Sequence, residues 1–260
     1  MPRIYPLFSS SKGNCTYIGS TEEGILIDCG VSYKRLCAAM ELSGLSMSAV
    51  KGIFITHEHS DHIKGLAVTT KKTGLPVFAN STTLDILYDK DMIFSKARDI
   101  IGSVKIGSIS VTPFPTSHDA ASPCGYRMDF DSGECCCTCT DLGVVTKEVR
   151  KALNGANAVL LEANYDEKML REGGYPAELK QRIRSEIGHL SNSDSGKLAA
   201  ELVSGGVSRI ILGHISQENN TPQKAEETVK NILTENGFTK DKDYFLTCAP
   251  VETEGAYAHF

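Results

Sequence analysis

Residues 56–62 read THEHSDH, and the run just before them, GIFI at 52–55, has the composition of a buried strand. Three of the chain's seven histidines and one aspartate fall within His57–His62. Imidazole nitrogen and carboxylate oxygen suit Zn²⁺, Mn²⁺ or Fe. At a strand end, His57 and His59 stand at i, i+2 and can face one ion, while Asp61 and His62 in the following turn can face another. The plain alternative, a solvated polar loop, would have to gather these histidines by accident.

The same pattern recurs along the chain, because apolar runs of strand length end repeatedly in a residue able to bind a metal. ISVTPFPTS runs into His118, CCCTCT into Asp141, and RIIL plus one glycine into His214. Strands that deliver ligands at their C-terminal ends describe a site built along one edge of a sheet. Six of the seven histidines, His57, His59, His62, His118, His189 and His214, thus have a place, and His259 reads as a frayed tail.

Cysteine offers a competing metal site. The stretch GECCCTCTDLG, 133–143, holds four of nine cysteines. A strand there would put Cys135, Cys137 and Cys139 on one face and Cys136 on the other. A tetrahedral thiolate site draws on two separated pairs, and no second pair exists. The run therefore reads as a core strand whose purpose is to deliver Asp141.

At 260 residues the chain can bury a large core, and 41% hydrophobic with 23% charged residues is ordinary globular composition. No apolar run is long enough to span a membrane, and no signal-peptide pattern precedes the polar serines at the start. A cytoplasmic protein with reduced thiols is expected. Its net charge of −5 gives no general attraction to nucleic acid, so an anionic substrate needs a local site. Short strands at CTYIG and GILID, helices near 32–42, 63–72 and 81–88, and strands near 103–106, 109–115, 125–130 and 134–140 are expected. The second half alternates helix and strand. Thr221 and Pro222 suit the cap and first turn of its last helix, with Gly237 as the stop. These elements predict two similar α/β halves packed as one domain.

The residues resemble the metallo-β-lactamase fold superfamily, whose signature H-x-H-x-D-H is matched by HEHSDH. More narrowly the chain resembles the YycJ/WalJ group, cytosolic bacterial proteins described as 5′→3′ DNA exonucleases. That likeness rests on SSSKGN, FITHEHSDHIKGL, SHDAASPCGY, TDLG, LLEANYDEKMLREGGYP, GHLSN and LGHISQENN, and spans residues from about 8 to 220. Two positions depart from the group: Tyr165 stands where a histidine is usual, and HIS replaces HLS.

The resemblance implies an αββα sandwich over residues 1–260, a single domain with two divalent ions, Zn or Mn first and Fe also allowed. His57, His59 and His118 would hold one ion, Asp61, His62 and His214 the other, with Asp141 between them. Two ions about 3.5–4 Å apart lower the pKa of a shared water and stabilise the oxygens of an in-line displacement. His189 would protonate the leaving group, oriented by Glu162, with Asp61 completing the catalytic set. Only 72 residues separate Asp141 from His214, too few for a β-CASP-type cap insertion. Ser10, Lys12 and Asn14 in the small-residue loop, and Ser191 and Asn192 at a helix start, are the expected phosphate contacts. Lys180, Arg182 and Arg184 form a further basic run that reads equally well as the solvated side of a helix. The implied substrate is a DNA end, probed from its 5′ side. A small-molecule hydrolase of the same fold, acting on a cyclic phosphodiester, thioester or lactone, is the second reading. Degenerate, non-catalytic members of the fold lose ligands, and this chain keeps seven.

Overall fold

The structure is a computed structural model that describes residues 2–255 and the backbone of Ala258–His259. It divides into two compact units, Met1–Pro113 with Ala120–Glu134 and Pro250–Phe260, and Phe114–Asp119 with Cys135–Ala249.

The first unit opens with β1 (Arg3–Ser10), β2 (Gly13–Gly19) and β3 (Gly24–Ile27), then α1 (Tyr33–Leu42) and β4 (Val50–Phe54). It continues through α2 (Ser60–Ile63), α3 (Leu66–Thr73), β5 (Val77–Ala79), α4 (Ser81–Asp89), β6 (Ala97–Asp99) and β7 (Val104–Ile106). β8 (Ile109–Pro115) belongs to it as far as Pro113, and β9 (Cys124–Phe130) follows. Its main sheet has seven strands and is antiparallel from β1 to β3 and parallel from β3 to β6. β7 and β8 form an antiparallel hairpin. A core of Tyr5, Tyr17, Leu26, Leu36, Ile53, Leu66 and their neighbours closes over this sheet. Each such side chain, removed from water, contributes about 1.5–3 kcal/mol.

The second unit carries β10 (Cys135–Cys139), α5 (Lys147–Leu153), β11 (Ala158–Glu162), α6 (Glu167–Glu172) and α7 (Ala177–Ile183). After these come α8 (Asn192–Ser204), β12 (Arg209–Gly213), α9 (Pro222–Glu235) and β13 (Phe245–Cys248). Strands β10 to β13 are all parallel, and the intervening helices α5, α8 and α9 bury their apolar stripes in a second core. Within it lie Cys135, Cys137 and Cys139, as the alternation of a strand requires, and all nine cysteines are free thiols. Burial pushes the Cys139 thiol well above its ordinary range, so it is no ready metal ligand. β14 (Ala258–His259) returns to the first unit, where its backbone pairs with Arg3 and Ile4. The expectation of a frayed tail at His259 is thereby corrected.

Local signals behave as their chemistry dictates. Thr221 caps α9 by accepting from the Lys224 amide, Pro222 occupies its first turn, and Gly237 takes φ 87° beyond its end. One expectation is revised: the helix placed at 63–72 is two helices, broken at Gly65. The cause is a close backbone approach. A Cβ on Gly65 would lie 1.7 Å from the Val31 carbonyl oxygen, and one on Gly30 would lie 1.6 Å from that of Asp61. The Cys29 amide donates to the His62 carbonyl at 2.8 Å and the Gly65 amide to the Cys29 carbonyl at 2.9 Å, clasping the HEHSDH turn against 29–31. Gly30→Ala should therefore lower the melting temperature by about 4–8 °C, some 2 kcal/mol, in a circular-dichroism scan. A shift of about 1 °C or less contradicts that contact.

Candidate metal centre and catalytic pair

In the first unit the parallel register pairs Ile27 with Phe54, so the residues just beyond β3 and β4 emerge at one level. They are Asp28 and the segment that begins with Ile55, Thr56 and His57. Asp28 takes φ 62°, a left-handed conformation that costs a non-glycine residue about 1–3 kcal/mol. That conformation brings its carboxylate to several donors at once. Oδ1 accepts from the Thr56 amide at 2.8 Å, and Oδ2 lies 2.9 Å from the Thr56 hydroxyl and 2.7 Å from His62 Nδ1. A carboxylate only accepts, so His62 carries its proton on Nδ1. The Thr56 hydroxyl gives its single proton to Asp28 and so accepts at 2.9 Å from His57 Nδ1. Both imidazoles thereby present Nε2 with its lone pair.

Asn14 supports the same pair. Its Oδ1 accepts from the Ser10 amide at 3.1 Å, which fixes the amide orientation and turns Nδ2 toward Asp61 Oδ2 and His62 Nε2, each at 3.1 Å. His57 packs against His59 and His62 with ring centroids 4.6 and 4.1 Å apart. His57, His59, Asp61 and His62 thus form one cluster, with His57 and His62 buried and His59 and Asp61 partly exposed.

In the second unit the register matches Cys139 with Leu161 and Glu162 with Gly213, so Asp141 and His214 leave their strands at the same level. Both take left-handed φ, 59° and 53°. Asn164 holds the latter by donating its side-chain amide to the His214 carbonyl at 2.8 Å. One ligand-type atom each from Asp141, Glu162, His189 and His214 lies within 4.8 Å of the others. Glu162, fully buried, is their hub. Oε1 accepts from His189 Nδ1 at 2.9 Å and from His214 Nδ1 at 2.8 Å, and Oε2 accepts from the Leu142 and Leu190 amides, each at 3.1 Å. Burial alone would push this carboxyl up, yet the His189 and His214 imidazoles hold it well below the usual carboxylate range. His118 donates Nδ1 to the Gly188 carbonyl at 3.0 Å, and burial pushes its pKa down, keeping a neutral ring with a lone pair on Nε2.

Such partners on the far nitrogen are how proteins orient histidine toward a metal, and neutral imidazoles with buried carboxylates are the donor set such an ion needs. The His/Asp clusters of both units fit divalent metal binding. Among the described residues no helix is long and apolar enough to cross a membrane.

The side chains expected to hold phosphate are mostly turned inward. Ser10, Asn14, Ser191 and Asn192 are buried; Ser191 caps α8 by accepting from the Asp194 amide, and Asn192 exchanges amide hydrogen bonds with Asn220 at 3.0 and 2.8 Å. These four side chains brace loops, and Lys12 alone of the five is exposed. Tyr165, the departure from the group pattern, is buried, and burial pushes its phenol up to about 12. Asp28, Thr56, Asn164 and Asn220 were not singled out from sequence. For Asp28 a signal existed: GILI ends in it as CCCTCT ends near Asp141.

Asp28→Ala should weaken divalent-metal affinity about 10–100-fold, read by competition with a chromogenic chelator. Unchanged affinity would show that His62 needs no such partner.

A family model described as a beta-lactamase superfamily domain matches residues 24–215. The exodeoxyribonuclease YycJ of Bacillus anthracis is 39% identical over 241 residues, covering 89% of each chain. The exodeoxyribonuclease WalJ of Streptococcus pneumoniae is 34% identical over 235 residues, covering 88% of this chain and 87% of the relative. Among solved structures, the metallo-beta-lactamase fold protein YhfI from Bacillus subtilis superposes with a TM-score of 0.72 at 15% identity, covering 97% of this chain and 98% of its own. The two sheets with their helices are those of that fold, as expected. The chain belongs to the beta-lactamase superfamily, as a YycJ-like member of the metallo-beta-lactamase fold.

Proposed function

We propose that this chain, a metal-dependent hydrolase of the beta-lactamase superfamily, is a cytoplasmic 5′→3′ exonuclease that acts on DNA ends. It works as one metallo-β-lactamase-fold domain without a cap insertion. The observation that carries the reading is the Glu162–His189 pair, 2.9 Å apart and sharing its carboxylate with His214. When a phosphodiester is hydrolysed, the sugar oxygen of the broken P–O bond departs as an alkoxide and needs a proton. A histidine held by a buried carboxylate supplies one, and His189, with 20% of its side chain exposed, is open enough to reach a substrate. The names of the relatives at 39% and 34% identity support a DNA strand as the substrate.

In this reading His57, His59 and His118 hold one ion, Asp61, His62 and His214 the second, and Asp141 serves both. Zinc or manganese suits that set, and iron is compatible with it. Two such ions, when bound, supply an activated water and neutralise the phosphate oxygens. The chain's own residues do the rest. Glu162 fixes the heading of the His189 ring and, by accepting from Nδ1, stabilises the imidazolium whose Nε2 proton passes to the leaving oxygen. Asp61 presents its carboxylate beside His62, and Lys12 offers an exposed cation to the strand. His59→Ala is expected to lose metal and activity together, and a variant with full metal content and full activity would sink the assignment.

The deciding test is a Mn²⁺-supplemented time course on matched DNA and RNA oligonucleotides, 5′-phosphorylated and labelled at the 3′ end. Stepwise shortening of DNA is expected, reduced about 10²–10⁴-fold by His189→Ala and abolished by a chelator. If neither polymer is cut, the small-molecule reading takes over, and cyclic phosphodiesters and thioesters are the substrates to screen.

A further inference from the structure

The basic run at 180–184 has no role in the chemistry above, yet it frames a feature of its own. A surface cavity of about 520 Å³ in the second unit is lined by Ala177, Lys180, Gln181, Arg184 and Ser185. Its polar side chains are two cations, an amide and a hydroxyl, with no carboxylate, and the Ser185 hydroxyl already donates to the Arg182 carbonyl at 2.8 Å. Arg182, the third cation of the run, is already committed to Asp119 at 2.5 Å. Lys180 donates one of its three protons to the Arg171 carbonyl at 2.8 Å. Among the described residues no hydrogen bond or ion pair engages the side chain of Arg184 or Gln181. On α7 the apolar Leu179 and Ile183 are half-buried, while Gln181 and, just past its end, Arg184 are exposed.

The cavity is tied to the catalytic loop through the backbone. From Arg184 the chain turns tightly, with the Gly188 amide donating to the Ser185 carbonyl and the His189 amide to the Ile183 carbonyl, each at 2.9 Å. The Gly188 carbonyl then accepts from His118 Nδ1. A residue larger than glycine cannot enter this turn, because a Cβ at 188 would lie 2.3 Å from both the Arg182 and Ile183 carbonyl oxygens. An anion seated against Arg184 and Lys180 therefore lies on the segment that leads directly into the loop that carries His189 and steadies His118.

We propose that this cavity is a phosphate pocket that takes a backbone phosphate of the nucleic-acid strand beside the one being cleaved. Arg184 supplies a forked donor matched to two phosphate oxygens, with Lys180 as a second cation and Gln181 as a neutral donor. In a chain of net charge −5 such a local pocket is what an anionic polymer requires. The inference rests on the strand-cleaving reading above, so binding and cleavage are to be measured separately.

Binding is read by fluorescence anisotropy of a 3′-labelled, nuclease-resistant phosphorothioate single strand on the metal-loaded protein across a salt titration. Cleavage is read on the unmodified strand with Mn²⁺. Arg184→Ala should weaken binding about tenfold and flatten the log Kd against log salt slope by about 0.7, the share of one phosphate contact. Arg184→Lys should restore the slope while recovering affinity only partly. Equal affinity and slope in wild type and Arg184→Ala, or no salt-dependent binding by the wild type, overturns the pocket. Arg184-dependent binding without any cleavage keeps the pocket and rejects the nuclease reading instead.

Discussion

The buried carboxylate of Glu162 is the interaction on which the second unit's chemistry depends. Four donors converge on it: the Nδ1 atoms of His189 and His214 and the backbone amides of Leu142 and Leu190. Those amides belong to the loops that carry Asp141 and His189, so one side chain ties three loops together. A carboxylate moved out of water is costly unless every lone pair is used, and here both oxygens are used twice. The same carboxylate sets the protons on both rings, so it controls geometry and tautomer at once.

Asp28 plays the corresponding part in the first unit, with Thr56 relaying its influence to His57. Both units adopt the same local solution to the same problem. A parallel strand ends, the chain turns through a left-handed residue, and a polar side chain is thrown back over the strand edge. Asp28, Asp141 and His214 are three of only five non-glycine residues with positive φ among those described, and the other two, Asp91 and Asp241, lie in turns away from the histidine clusters. The strain is tolerated because hydrogen bonds such as that from Asn164 to the His214 carbonyl hold it in place.

Much of this was legible in the residues. Strand endings pointed to His57, Asp141 and His214 because a parallel strand delivers whatever follows it to one edge, and to His118 beyond the antiparallel β8. The cysteine run resolved into a core strand because the sequence holds no second thiolate pair. Glu162 and His189 came through resemblance, since their pairing joins positions 27 apart in sequence and no periodicity reports it. The supporting polar residues were harder to see. Asn164 and Asn220 act through the backbone of distant segments, a use that leaves no local pattern. Ser10, Asn14, Ser191 and Asn192 carry the right chemistry for phosphate, and their burial shows what no local pattern reports, that their side chains also brace loops.

The central claim is that buried acceptors fix these histidines with the proton on Nδ1 and the lone pair on Nε2. Long-range ¹H–¹⁵N correlation spectra of the metal-free protein at neutral pH, assigned by single His→Gln substitutions, test it directly. The account predicts the Nδ1–H tautomer for His62, His118 and His214. Nε2-protonated rings at these positions, or rapidly averaging mixtures, would contradict it.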